Sequence, residues 1–153
     1  MRNPKYLEQY ERTMRWYWRF IKINHGQIHQ KNSDFYQDEV YSFFINCYHL
    51  KDWIINDPVV KINKDDIEKF VHNNKYLNIC GDICNGVKHL QLNKSNGAKI
   101  GSSHFSLELG RGTPVLSVRY DIEIDGKKYD AFKVANEAVK QWDNFIKRRI
   151  NFQ

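Results

Sequence analysis

The sequence predicts an α+β fold that is mainly α: a four-helix bundle followed by a three-stranded antiparallel meander and a C-terminal helix. Three observations predict it. Apolar residues recur at helical spacing over about residues 3–92, alternate with a period of two over the following stretch, and return to helical spacing near the end. A chain of 153 residues that is 41% hydrophobic and 14% aromatic has the size and composition of one folded domain. We therefore expect one domain over residues 1–153, with a helical part at about 3–92 and the meander plus last helix at about 103–150.

The first predicted helix begins at Asn3 and continues to about Asn24. Asn3 serves as its N-cap, Pro4 takes the first helical position and Gly26 stops the helix. The following sequence, GQIHQKNSD, indicates a loop.

The second predicted helix extends from about Phe35 to Asn56 and ends before Pro58. Its apolar side chains cover a wide arc, which predicts a central position in the bundle. These residues are Val40, Phe43, Phe44, Cys47, Tyr48, Leu50, Ile54 and Ile55. Asn63 then caps a short third helix with the sequence KDDIEKFVHNN, which carries acidic residues in its first turn.

The fourth predicted helix, from about Lys75 to Leu92, has one apolar face and one polar stripe. The stripe contains Asn78, Asp82, Asn85 and His89, which fall within about 60° of one another on the helical wheel. Such a stripe is either a solvated helix face or a functional surface, and the residues alone leave both interpretations open.

The period-two segments HFSLEL and VLSVRYDIEI predict two strands, and Asp125-Gly126 predicts a two-residue hairpin turn into the third strand. The last helix is expected from about Val134 to Ile150. Its inward face holds Ala138, Trp142, Phe145 and Ile146.

Cysteine use and apolar content restrict the class of protein. Cys47, Cys80 and Cys84 form no CxxC pair, so we expect buried reduced thiols and neither a metal site nor a cofactor. No apolar run is long enough to span a membrane, and the N-terminus does not resemble a signal peptide, so a cytoplasmic location without membrane contact is expected. The net charge of +6 favours salt-sensitive attraction to polyanions.

Residues 84–89, CNGVKH, resemble the core motif of HEPN-type helical domains, in which an arginine is followed by a polar residue, three variable positions and a histidine. Asn85 matches the polar position and His89 the histidine, while Cys84 stands where the family has arginine. YHLKDWI on one helix together with DICNGVKHL on a later one also resembles a group of uncharacterised small bacterial proteins. The resemblance covers about residues 36–92. It implies a dimeric helical bundle related to metal-independent ribonucleases of toxin–antitoxin and other defence systems.

The chemistry of such a site needs a proton-transfer group and a cation. His89 is the expected proton-transfer residue, since imidazole titrates near neutral pH. The cation needed to stabilise charge on phosphorus would be Lys88 or Lys51, because Cys84 is neutral. Asp52 or Asp82 would orient a histidine. The site residues predicted with His89 are, in full, Asn85, Lys88, His49 and Asp52. For His49 the alternative is a structural or surface role.

Arg12, Arg15, Arg19 and Lys22 recur at helical spacing on the first helix, with Trp16 close by. Cations for phosphates and an aromatic ring for base stacking are typical of RNA binding. The alternative is a solvated face in which these cations pair with Glu8 and Glu11.

Two functions remain open. The first is a HEPN-like module without the motif arginine that binds RNA or a partner protein, in a bacterial defence or toxin–antitoxin setting. The second is an active metal-independent endoribonuclease that uses His89, with Lys88 or Lys51 as its cation.

Overall fold

A computed structural model of the chain describes residues 3–28, 31–88, 99–108 and 115–150. Within these ranges the fold consists of five α-helices and a three-stranded antiparallel sheet, and the predicted fold class is confirmed. The elements in chain order are α1 (Tyr6–His25), α2 (Ser33–Ile55), α3 (Lys64–Asn73), α4 (Lys75–Lys88), β1 (Lys99–Glu108), β2 (Val115–Ile124), β3 (Lys127–Asp130), α5 (Ala131–Phe145) and a π-helical segment (Ile146–Ile150).

The α2 helix is central, as its wide apolar arc predicted. It packs against α1, α3, α4 and α5, and six residues of the predicted arc are buried. These are Val40, Phe43, Phe44, Cys47, Leu50 and Ile54. His49, Asp52 and Asn56, which lie outside this arc, are exposed, whereas Tyr48 and Ile55 of the arc are only half-buried.

The start of α1 differs from the prediction. Asn3 is not the N-cap; the helix begins at Tyr6, and the capping position belongs to Lys5, whose side chain makes no capping hydrogen bond. Instead Asp57, which is buried in the α2–α3 connection, accepts a hydrogen bond from the backbone N–H of Tyr6 at 2.9 Å. Its other carboxylate oxygen accepts the N–H of Val59 at 3.0 Å. A residue 51 positions away therefore performs the task expected of Asn3.

Replacing Asp57 with alanine is expected to destabilise the fold by about 1–2 kcal/mol, because it leaves two backbone donors without their acceptor. Asp57→Asn keeps one oxygen acceptor, so its stability should lie between that of the wild type and that of Asp57→Ala. Urea denaturation followed by circular dichroism measures the difference. Asp38→Ala, which removes an exposed carboxylate from the middle of α2, is the control and should change stability by less than about 0.5 kcal/mol. Equal losses in Asp57→Ala and Asp38→Ala would contradict the capping role.

Other helix ends follow local signals. Gly26 ends α1 with φ of 115°, a conformation that favours glycine, and a Cβ there would lie 2.7 Å from Val115 Cγ1. Asn32 and Asn63 cap α2 and α3 through hydrogen bonds from Phe35 and Asp65. The predicted last helix begins three residues early, at Ala131, because Asp130 accepts a hydrogen bond from the N–H of Lys133 and caps it there.

The sheet has the order β1-β2-β3 and packs on α1 and α5. Val118, Tyr120 and Ile122 of β2 face the core, as their alternation predicted. The hairpin turn at Asp125 (φ 50°) and Gly126 (φ 75°) is also confirmed. All four residues predicted on the inward face of the last helix are buried.

The end of the fourth predicted helix, residues 89–92, lies outside the described residues. Among the described residues, no helix is both long and apolar enough to cross a membrane.

Candidate functional site

The α2 and α4 helices carry four of the predicted catalytic residues, and the two helices approach each other closely. These residues are His49 and Asp52 on α2 and Asn85 and Lys88 on α4. The ring of Tyr48 on α2 lies against Gly81 on α4, where an added Cβ would be only 2.7 Å from Tyr48 Cε2. Because glycine has no side chain, the helices can approach here more closely than any other residue would allow. This contact brings α2 and α4 close together along this part of their length.

One consequence is that His49 meets Cys84. The His49 Nε2 atom lies 3.5 Å from Cys84 Sγ. Cys84 is only 6% exposed, whereas His49 is exposed at the edge of the seam between the helices. The buried thiol of Cys84 is therefore in contact with a histidine.

The structure describes the other predicted site residues of the CNGVKH segment only in part. Asn85 is exposed on α4, next to Cys84. Lys88 is the last residue of α4, but its side chain lies outside the described part of the chain, as does all of His89. Whether His89 approaches His49 or Asp52 stays a prediction, and so does its role in proton transfer.

Lys51 is held in a network of its own. Its Nζ atom lies 3.1 Å from Glu68 of α3, 3.8 Å from Asp52 and 3.3 Å from the Tyr48 hydroxyl. Burial alone lowers the pKa of this ammonium group. The hydrogen bonds to Glu68 and Tyr48 and the nearby Asp52 more than offset burial, so the pKa lies above its ordinary value. Lys51 is thus a charged group that Glu68 already neutralises.

The two candidate orienting carboxylates have different surroundings. Asp52 is exposed and makes no hydrogen bond to His49 within the described residues. It lines a cavity of about 320 Å³ with Lys5, Trp53 and Asn56. Asp82 is half-buried, and burial raises the pKa of its carboxyl above the ordinary value.

The cysteines are buried thiols outside disulfides, as predicted. Burial raises the pKa of the Cys80 thiol well above its ordinary value, and hydrogen bonding with Cys47 raises it further. Within the described ranges, no group of three or more histidine, cysteine, aspartate or glutamate residues is placed to hold a metal ion.

The four predicted RNA-binding residues all lie on α1, and we call them the α1 basic face: Arg12, Arg15, Arg19 and Lys22. Arg12 forms an ion pair with Glu8 at 2.8 Å and donates a hydrogen bond to Gln9. For this residue the expected pairing with Glu8 is therefore observed. Across the described part of the chain, Arg15, Arg19 and Lys22 form no ion pair, and all three are exposed.

Aromatic rings accompany these cations. The Arg19 guanidinium lies 4.4 Å from the ring centroid of Trp16, and that of Arg12 lies 5.5 Å from the ring centroid of Trp53 on α2. Trp18, which follows Arg15 by three residues and precedes Lys22 by four, is 59% exposed. At about 100° per residue Trp16 and Trp18 therefore flank the stripe of cations on its two sides.

Sequence reasoning missed two of these features. It did not pair Cys84 with His49, and it did not include Trp53 or Trp18 in the basic face. The exposed Trp18 could have been found from the wheel, since it lies about 40° from Lys22 and about 60° from Arg15, at the edge of the basic face.

Comparison of the chain with protein-family models, with curated proteins and with solved structures found no match.

Proposed function

We propose that the protein is an RNA-binding module and that its contact surface is the α1 basic face. The observation that carries this proposal is the exposure of Arg15, Arg19 and Lys22, none of which forms an ion pair with a described residue, beside an indole ring that is 59% exposed. Glu39 is the carboxylate nearest in effect to Arg19: burial raises the pKa of Glu39, and the charge of Arg19 offsets part of that rise. Charged groups left unpaired on a surface are available to phosphates. An exposed indole offers a stacking surface to an unpaired base.

The geometry of α1 suits a single strand better than a duplex. The helix rises about 15 Å along its axis from Arg12 to Lys22, so the cations follow a short line. Trp16 is already covered on one side by Arg19, which leaves Trp18 as the ring with the most accessible area. Base stacking requires unstacked bases, which single-stranded RNA supplies.

The α2–α4 pair supports a binding role over catalysis. Cys84, a buried thiol, stands at the position of the motif arginine, and Lys51 is neutralised by Glu68. Neither can offer a free cation to a pentavalent phosphorus. We therefore propose a HEPN-like core that lacks the motif arginine and that serves in a bacterial defence or toxin–antitoxin setting, as a homodimer. Light scattering tests the dimer.

RNA affinity in a charge-neutralised variant tests the contact surface. Arg15→Gln/Arg19→Gln should weaken binding of a fluorescein-labelled oligouridylate of about 20 nucleotides by roughly tenfold or more. Losing two phosphate contacts should also reduce the slope of log Kd against log salt by about 1.4. Fluorescence anisotropy over about 50–200 mM salt measures both quantities.

The matched control is Lys127→Gln/Lys128→Gln, which removes the same charge from the exposed β2–β3 hairpin. If the two double variants lose affinity equally, binding depends on net charge and not on α1. A wild-type chain that binds no RNA even at low salt would contradict the proposal. RNA cleavage that persists in the presence of a metal chelator and disappears in His89→Ala would replace the binding proposal with the metal-independent endoribonuclease.

A further inference from the structure

A second surface feature lies between α3 and the C-terminal π-helical segment. It is a cavity of about 400 Å³, within the range of small-molecule sites. No residue of α1 lines it, so it is separate from the α1 basic face. Its lining residues are Asp66, Lys69, Phe70, Asn73, Asn74 and Arg149.

The cavity brings together two cations from distant parts of the chain. Lys69 comes from α3, and Arg149 comes from the π-helical segment. Neither forms an ion pair with any residue that the structure describes, although Asp66 lines the same cavity. Two converging positive charges without a carboxylate partner favour binding of an anion.

The amide side chains add further donors. The Asn74 side-chain oxygen already accepts hydrogen bonds from the N–H groups of Tyr76 and Leu77, at 3.1 and 3.2 Å. Its NH₂ group is therefore the part that remains for a ligand. Asn73 is exposed beside it. With Lys69 and Arg149, the cavity is rich in donors, which matches a phosphate with its several acceptor oxygens.

The remaining two residues suit the rest of a nucleotide. The Phe70 ring is half-buried and stacks on Phe145 at 4.4 Å between centroids, which fixes its orientation. An aromatic wall beside two cations fits a planar base that carries a phosphate. The Asp66 carboxylate is an acceptor for a ribose hydroxyl or an exocyclic amino group, which inorganic phosphate lacks.

We propose that this cavity binds a nucleoside monophosphate, with the phosphate on Lys69 and Arg149 and the base against Phe70. The same 5′-phosphorylated nucleoside is presented by a free nucleotide and by the 5′ end of an RNA. The site does not depend on RNA binding by α1, and it can exist whether or not that binding occurs.

Isothermal titration calorimetry of the full chain with AMP, GMP, CMP and UMP tests the proposal. At least one nucleotide should bind about tenfold more tightly than inorganic phosphate or its own nucleoside. Lys69→Gln/Arg149→Gln should weaken that nucleotide about tenfold or more. Lys127→Gln/Lys128→Gln removes the same charge from the β2–β3 hairpin, outside both proposed sites, and should leave the nucleotide affinity unchanged, with circular dichroism confirming that both variants are folded.

Three results would overturn the proposal: no binding of any of the four nucleotides, equal affinity for nucleotide and inorganic phosphate, or equal losses in the two double variants. Competition identifies the source of the ligand. Displacement of the nucleotide by a 5′-phosphorylated RNA and not by its 5′-hydroxyl form supports an RNA end as the occupant, and no displacement by either supports a free nucleotide.

Discussion

Replacing Trp142 with alanine is expected to destabilise the protein by about 3–5 kcal/mol, the largest effect of any single change considered. Trp142 is 1% exposed, and its rings pack against Phe70 and Phe145. Its indole N–H also donates to the Cys47 carbonyl at 3.0 Å, which ties α5 to the central helix. Since domains of this size are stable by only about 5–15 kcal/mol, the variant should lose a large part of its stability.

Two further variants separate packing from hydrogen bonding. Trp142→Phe keeps most of the aromatic contact but loses the N–H donor, so we expect a smaller loss of about 1–2 kcal/mol. Trp18→Ala, at an exposed site, should change stability by less than about 0.5 kcal/mol. The midpoint of urea unfolding, followed by far-ultraviolet circular dichroism, measures all three. A loss in Trp142→Ala no larger than in Trp18→Ala would show that α5 does not contribute to the core as described.

Gly81→Ala is expected to destabilise the protein by about 1–3 kcal/mol, although alanine is the better helix former by about 1 kcal/mol. The reason is the 2.7 Å distance between the added Cβ and Tyr48 Cε2, which forces either the ring or the helix to move. Movement of the helix would also separate Cys84 from His49.

The sign of this effect can be reversed. In a Tyr48→Ala background the added methyl group has no ring to meet, so Gly81→Ala should then stabilise by about 1 kcal/mol through helix propensity alone. A double-mutant cycle of urea unfolding therefore gives a coupling energy of about 2 kcal/mol or more. Additive effects of the two substitutions would mean that the seam between α2 and α4 adjusts without cost.

Local signals made most of the fold predictable. Asn63 caps α3, Asp125-Gly126 turns between β2 and β3, and Gly26 ends α1. Each depends on residues within a few positions of one another, and a helical wheel or a period of two captures the buried faces in the same way. Asn3 was assigned by the same rule and was wrong, since the carboxylate of Asp57 takes the place of a local cap.

The candidate site was less predictable because its contacts join separate helices. The sequence marks Lys51 only as a candidate cation, and the packing of α3 on α2 is needed to show that Glu68 neutralises it. His49 and Cys84 are 35 residues apart, and no periodicity relates them. The α1 basic face, which lies on one helix, could be assigned from spacing alone.

The Asp57 contact has a consequence for the order in which the chain matures during synthesis. The first turn of α1 is made early, but its carboxylate partner is added only after all of α2 has left the peptidyl transferase centre. Until then the first turn of α1 is stabilised only by its own helix propensity, which is marginal for a single turn. The first turn of α1 therefore becomes native only after later segments of the chain have been synthesised.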